Sequence, residues 1–269
     1  MVETEFMLRN MLLKELWDQR KPFLWWCLGF LVLIPVIISM YPSVRDMTEI
    51  NIMMDNDLIR AFSGGVTDIT SPVGYLNSQL YFLMVPLLFL IFGITQGSGA
   101  IAGEEESGTL DLLLSNPVSR SRVVLQKFSA IIVNMLVFAC IVWLISITSV
   151  IAINMEISLI RIGEITFSVA LLGILFASLA FLVGCVIGKR GMSVGITSAI
   201  GVLTYILYSL GPIVDRLEPL EVLSPFYYYF EADPLTNGLY LPHVLVLIIV
   251  ILVLVVIAYA MFKHRDLGV

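Results

Sequence analysis

Six stretches of the chain are apolar for long enough to cross a bilayer: residues 23–40, 75–100, 128–153, 165–187, 192–210 and 244–262. A spanning helix needs about 20 mainly apolar residues. The charged residues gather in the segments between. The pattern predicts an all-α polytopic membrane protein with six transmembrane helices, spans one to six, in a single membrane domain over residues 1–269. Tyr41-Pro42 closes the first run, and no small-residue cleavage site follows it, so the run is not a signal peptide. Composition points the same way. Of 269 residues 59% are hydrophobic and 13% charged, and the mean hydropathy is +0.97. Disorder, a disulfide scaffold and a water-soluble globule are excluded.

Orientation follows from Lys and Arg in the connecting segments. Eleven fall on the side of the two termini and four on the other side. Both termini are therefore expected in the cytoplasm. The polar N-terminal segment, residues 1–22, reads as a helix lying on the inner membrane surface. Phe6, Leu12, Leu13, Leu16 and Trp17 form its apolar arc, with Lys14, Glu15 and Asp18 opposite. Pro22 separates it from span one. Of the outer loops, residues 42–74 are expected to hold one short helix over 47–62. Residues 211–242 carry five prolines and the run Phe226-Tyr227-Tyr228-Tyr229-Phe230, which reads as an anchor at the water–lipid boundary.

Candidate chemistry is sparse. Cys27, Cys140 and Cys185 lie inside apolar runs, and His243 and His264 form no cluster, so no metal site is expected. A net charge of −6 argues against nucleic acid. No GxSxG, HExxH or Walker A loop is present. No Asp or Glu falls deep inside a span, which disfavours a proton-driven carrier. Small residues recur at helix-packing spacing: Gly93 and Gly97, Gly184 and Gly188, Gly191 and Gly195. Gly93, Gly97, Gly195 and Ala199, with the polar Gln96 and Thr197, are candidates for a dimer seam or substrate path through spans two and five.

The segment between spans two and three, residues 103–122, is the most informative. Glu104, Glu105 and Glu106 lead through Ser107-Gly108-Thr109 into Leu110, Leu113 and Leu114, which share one helix face. Asn116-Pro117 ends that helix, and Ser119 or Ser121 can cap the next. A short amphipathic helix hung between two spans is either a lever docked on a soluble partner or a solvated loop. The residues alone leave both open.

The same segment resembles the first cytoplasmic loop of type-2 ATP-binding-cassette (ABC) permeases. The match runs through Glu104, Glu106, Gly108, Thr109, Leu110, Asp111, Leu112, Leu113, Leu114, Pro117, Ser119 and Arg120. It departs at Glu105 and Ser107, where the family often has a basic residue. The tail 262–267 and Leu223-Ser224-Pro225-Phe226-Tyr227 are similar to further family elements. The resemblance implies a cytoplasmic coupling helix between spans two and three, with Glu104, Glu106, Gly108, Thr109, Leu110, Asp111, Leu113 and Leu114 meeting the ATPase. It implies a permease in a bacterial or archaeal cell membrane, paired with a second copy, exporting a substrate. A separate nucleotide-binding ATPase in two copies would hold MgATP, and this chain would carry no cofactor. A passive channel or secondary transporter, or a membrane scaffold, is the alternative.

Overall fold

The computed structural model describes residues 11–110 and 119–265. Among them no strand occurs. Six helices are long and apolar enough to cross a membrane: Arg20–Arg45, Pro72–Glu106, Arg120–Ala152, Leu159–Ile187, Arg190–Ile213 and Leu241–His264. These are the six expected spans, and the chain is an all-α, multi-pass membrane protein. The first and last described residues, Met11 and Arg265, lie at one end of the bundle, called here the termini end. The loops at 46–71 and 214–240 form the far end.

Spans two and four make the centre. Their most apolar windows are 67% and 72% buried, against 17% for spans one and six at the rim. Contact between the central pair is made by backbone. A Cβ on Gly93 would overlap the carbonyl oxygen of Gly173, and one on Gly97 that of Ala177. Two small-residue pairs four apart thus face each other, which lets the axes close and gains dispersion contact where lipid supplies no hydrophobic drive. Phe138 of span three fills the junction with spans one and two, its ring centroid 5.1 Å from Phe30, 4.9 Å from Phe89 and 4.6 Å from Phe92. Large apolar side chains such as Trp25, Val32, Leu203, Leu252 and Val256 remain exposed on the outside. Lipid is their solvent.

Several local expectations are corrected. Span two does not end at residue 100. It continues through a wide π-helical turn, Gly99–Gly103, into a last helical turn, Glu104–Glu106. The three glutamates are therefore helical and not part of a loop. A second π turn, Asn77–Tyr81, lies at its other end. The first outer loop holds two short helices in place of one, a 3-10 helix Thr48–Asp55 and an α-helix Asp57–Phe62. Asn56 divides them, because its Oδ1 accepts from the N–H groups of Leu58 and Ile59 and starts a new helix.

The N-terminal helix is Met11–Asp18, and the break falls at Gln19. Pro22 sits inside the first turn of the next helix, where a missing N–H is harmless. The aromatic run forms a helix Pro225–Phe230 packed into the bundle, with Phe226, Tyr229 and Phe230 buried. Tyr229 donates to the Tyr81 carbonyl at 2.6 Å. These rings hold the far end together and do not simply anchor it.

Candidate functional site

Glu104, Glu105 and Glu106 close span two at the termini end. Consecutive helical residues point about 100° apart, so three in a row address three neighbours. Glu104 turns to span three, where its Oε1 lies 2.6 Å from the Lys127 ammonium. Glu105 turns to the end of span six and takes both arms of the Arg265 guanidinium, at 2.6 and 2.9 Å. Glu106 turns to the start of span five and accepts the backbone N–H of Arg190 at 3.0 Å. Span five has no side-chain cap of its own, so a carboxylate from another helix supplies one. That position also favours negative charge.

Each contact continues further. Lys127 is 2% exposed and donates as well to Glu15 of the N-terminal helix at 3.0 Å. Glu15 accepts from Gln19 at 2.7 Å, and Gln19 accepts from Asn134 of span three at 3.3 Å. A polar line thus runs from the end of span two to the middle of span three. Glu15 belongs to this line; it was expected on the solvated face of its helix. Arg265 also donates to the Cys185 carbonyl of span four at 3.2 Å, and its own carbonyl accepts from Arg120 at 2.7 Å.

Gly188 makes room for this clasp. It ends span four with φ of 70°, and a Cβ there would overlap the Arg265 guanidinium and the Glu105 carboxylate. Its spacing from Gly184 is that of a helix-packing pair, yet it serves as a turn. Gly184 alone packs, against Ala102.

Beyond Glu106 the chain turns outward. Gly108 has φ of 70°, which glycine adopts without strain. Thr109 donates to the Glu104 carbonyl at 3.2 Å and shares a 2.9 Å hydrogen bond with Ser107. Glu106, Ser107, Gly108 and Thr109 are exposed. Leu110 is not: it is 1% exposed, packed in the chain's own core. Leu110 was expected to face a partner; within the single chain its side chain is covered. Asp111, Leu113 and Leu114 lie outside the described residues. Ser119 caps span three, its Oγ accepting from Arg122 at 3.4 Å.

The candidate seam residues divide. Gly93 and Gly97 are taken up against span four within the chain. Gly195 and Ala199 are exposed, and nothing stands within 4 Å of a Cβ built on Gly195. Gln96 and Thr197 are buried, and Gln96 Oε1 and Thr197 Oγ1 have no hydrogen-bond partner among the described residues. At the far end, hollows of about 290 and 380 Å³ share Gly64, Gly65, Tyr208 and Glu231. Tyr208 donates to Glu231 there at 3.2 Å.

Sequence reading missed Lys127, Arg265 and Gly188 as site residues. Lys127 gave a signal: a lysine at the edge of a long apolar run, two turns into its helix, requires a carboxylate partner when buried. For Gly188 and Arg265 the partners come from distant segments, and no local pattern pairs them.

The described residues thus form a six-span membrane bundle whose central helix ends in an exposed turn and is tied by carboxylates to three other spans. The sequence profile of the ABC-2 family transporter proteins matches residues 9–267, and the chain belongs to that family. It is also similar to the probable ABC transporter permease protein NosY of Stutzerimonas stutzeri, 28% identical over 151 residues. That match covers 54% of this chain and 52% of the relative, so the chain spans about half the length of the curated relative it matches.

Proposed function

We propose that this chain is the permease subunit of an ABC exporter, with the termini end in the cytoplasm and its ATP hydrolysed by a separate nucleotide-binding subunit. The observation that carries the reading is the exposed Glu106–Thr109 turn. It projects from the tip of a central span, where a soluble subunit could push on it, and its root is fixed to spans three, five and six. Two permease copies would bind two ATPase copies holding MgATP. Span five supports the pairing, because Gly195 and Ala199 offer an exposed small-residue face that is left uncovered among the described residues. The substrate path would run beside Gln96 and Thr197, whose unpaired buried polar atoms each carry a desolvation cost of about 1–3 kcal/mol.

The test is co-expression and purification of the tagged chain with a candidate nucleotide-binding ATPase from the same genome. A stable complex that hydrolyses ATP, and loses assembly when Gly108 and Thr109 are replaced by bulky residues, is expected. Uptake or release of solute by the chain alone in vesicles would support a passive channel instead. Impermeant thiol reagents added outside cells should label Glu218→Cys and not Ser107→Cys; the reverse pattern would invert the orientation.

A further inference from the structure

The termini end holds a device that an exposed turn and six spans do not require. Three segments distant in sequence converge on three successive carboxylates: Glu104 to Lys127, Glu105 to Arg265, Glu106 to the Arg190 N–H. Arg265 is the most connected. Its guanidinium forks onto Glu105 and reaches the Cys185 carbonyl, and its own carbonyl receives Arg120. One residue past the last span therefore joins the ends of spans two, three, four and six. The seat is shaped for it, since Gly188 is left-handed and has no side chain where the pair lies. A bidentate Arg–carboxylate pair fixes angle as well as distance. The pair is only partly exposed, at 22% and 27%.

We infer that the Glu105–Arg265 pair is a transmission joint: the tail of span six is a working part of the coupling device, and Arg265 is a positioning residue that makes spans two, four and six move with the exposed turn. A movement applied at Ser107–Thr109 reaches Glu104–Glu106 through one helical turn. With the pair intact, it cannot swing span two without carrying span six and the span-four turn. With the pair broken, span two moves alone. Arg265 touches neither substrate nor nucleotide. The inference rests on the functional reading above.

The experiment uses the assembled complex with its ATPase, carrying Thr67→Cys in a far-end hollow and Ser in place of the three native cysteines. MgATP is added and the labelling rate of Cys at position 67 is followed, a readout at the end opposite to the joint. In the otherwise unaltered complex the rate should change on MgATP addition. Arg265→Gln and Glu105→Gln should still assemble with the ATPase, and the MgATP-dependent change should fall by about tenfold, within the usual range of coupling between sites. The charge swap, Glu105→Arg with Arg265→Glu, should restore a large part of it. Lys263→Gln removes an exposed charge in the same helical turn and should behave as the unaltered complex. A response that survives in full in Arg265→Gln overturns the inference alone. So does a swap with no recovery beside assembled, ATP-hydrolysing single variants. A complex that forms and hydrolyses ATP but shows no response before any joint substitution overturns the inference and leaves the permease reading standing. Failure of the chain to capture any ATPase overturns the functional reading and the inference with it.

Discussion

Lys127 sits two turns inside its helix at 2% exposure, held between Glu104 and Glu15. Two carboxylates around one ammonium leave a net negative cluster, stable only while the cation is present. Removing one partner of a buried ion pair costs about 3–5 kcal/mol, because the others remain charged and uncompensated. Lys127→Met should therefore destabilise the protein by that order in detergent denaturation. Adding Glu104→Gln and Glu15→Gln should recover most of the loss; no recovery would mean that the lysine stem alone matters. The glycines allow a sharper contrast. Gly97→Leu forces a side chain against the Ala177 carbonyl, and overpacking of this kind costs about 1–3 kcal/mol or more. Gly195→Ala meets open space inside a helix and should leave subunit stability unchanged or raise it by up to about 1 kcal/mol. Equal melting losses for the two would contradict the packing described.

Among the elements, the 3-10 helix Glu218–Leu223 carries a pH dependence. Burial, with Glu231 and Glu218 nearby, raises Glu221 above the ordinary carboxylate value. A carboxyl group with a raised folded pKa holds its proton more tightly in the fold. Its effect is absent below the unfolded value of about 4.3, and stability falls as pH rises through the folded value. Glu221→Gln should remove that fall. Its melting temperature should match the unaltered protein near pH 4 and exceed it at neutral pH, the gap opening between the two pKa values. A gap independent of pH would show that Glu221 stays charged throughout.

The element scale is also where sequence reading stops. The spans were legible because lipid demands long apolar runs, which composition records directly. The helical state of Glu104–Glu106 was not, since charge alone does not tell a solvated loop from a helix end whose partners are 23 to 160 residues away. The same blindness hid Glu15, whose partner Lys127 is on another helix. It also misassigned Phe226–Phe230, because an aromatic run suits a membrane boundary and a packed core equally.

For the whole molecule, the face along Gly195 and Ala199 is where a second copy would meet the first. Cysteines at these two positions should crosslink between chains in membranes, while one at Leu252 on span six should not. Crosslinking through span six alone would move the pairing elsewhere. One feature of the central span sets a different kind of limit. The regular stretch Met84–Ser98 lies between two wide turns, Asn77–Tyr81 and Gly99–Gly103. Such a turn is an α-helix holding one residue too many. Losing one residue from 99–103 would let the turn close into ordinary helix and leave Glu104, Glu105 and Glu106 near their addresses. Losing one from 84–98 finds no slack and rotates the glycine face by about 100° against everything beyond it. Single-residue deletions should then be tolerated in the short segment and lethal to folding in the long one, as membrane yield and melting would reveal. Span two can thus gain or lose length at its ends, while the rod between them must keep its count.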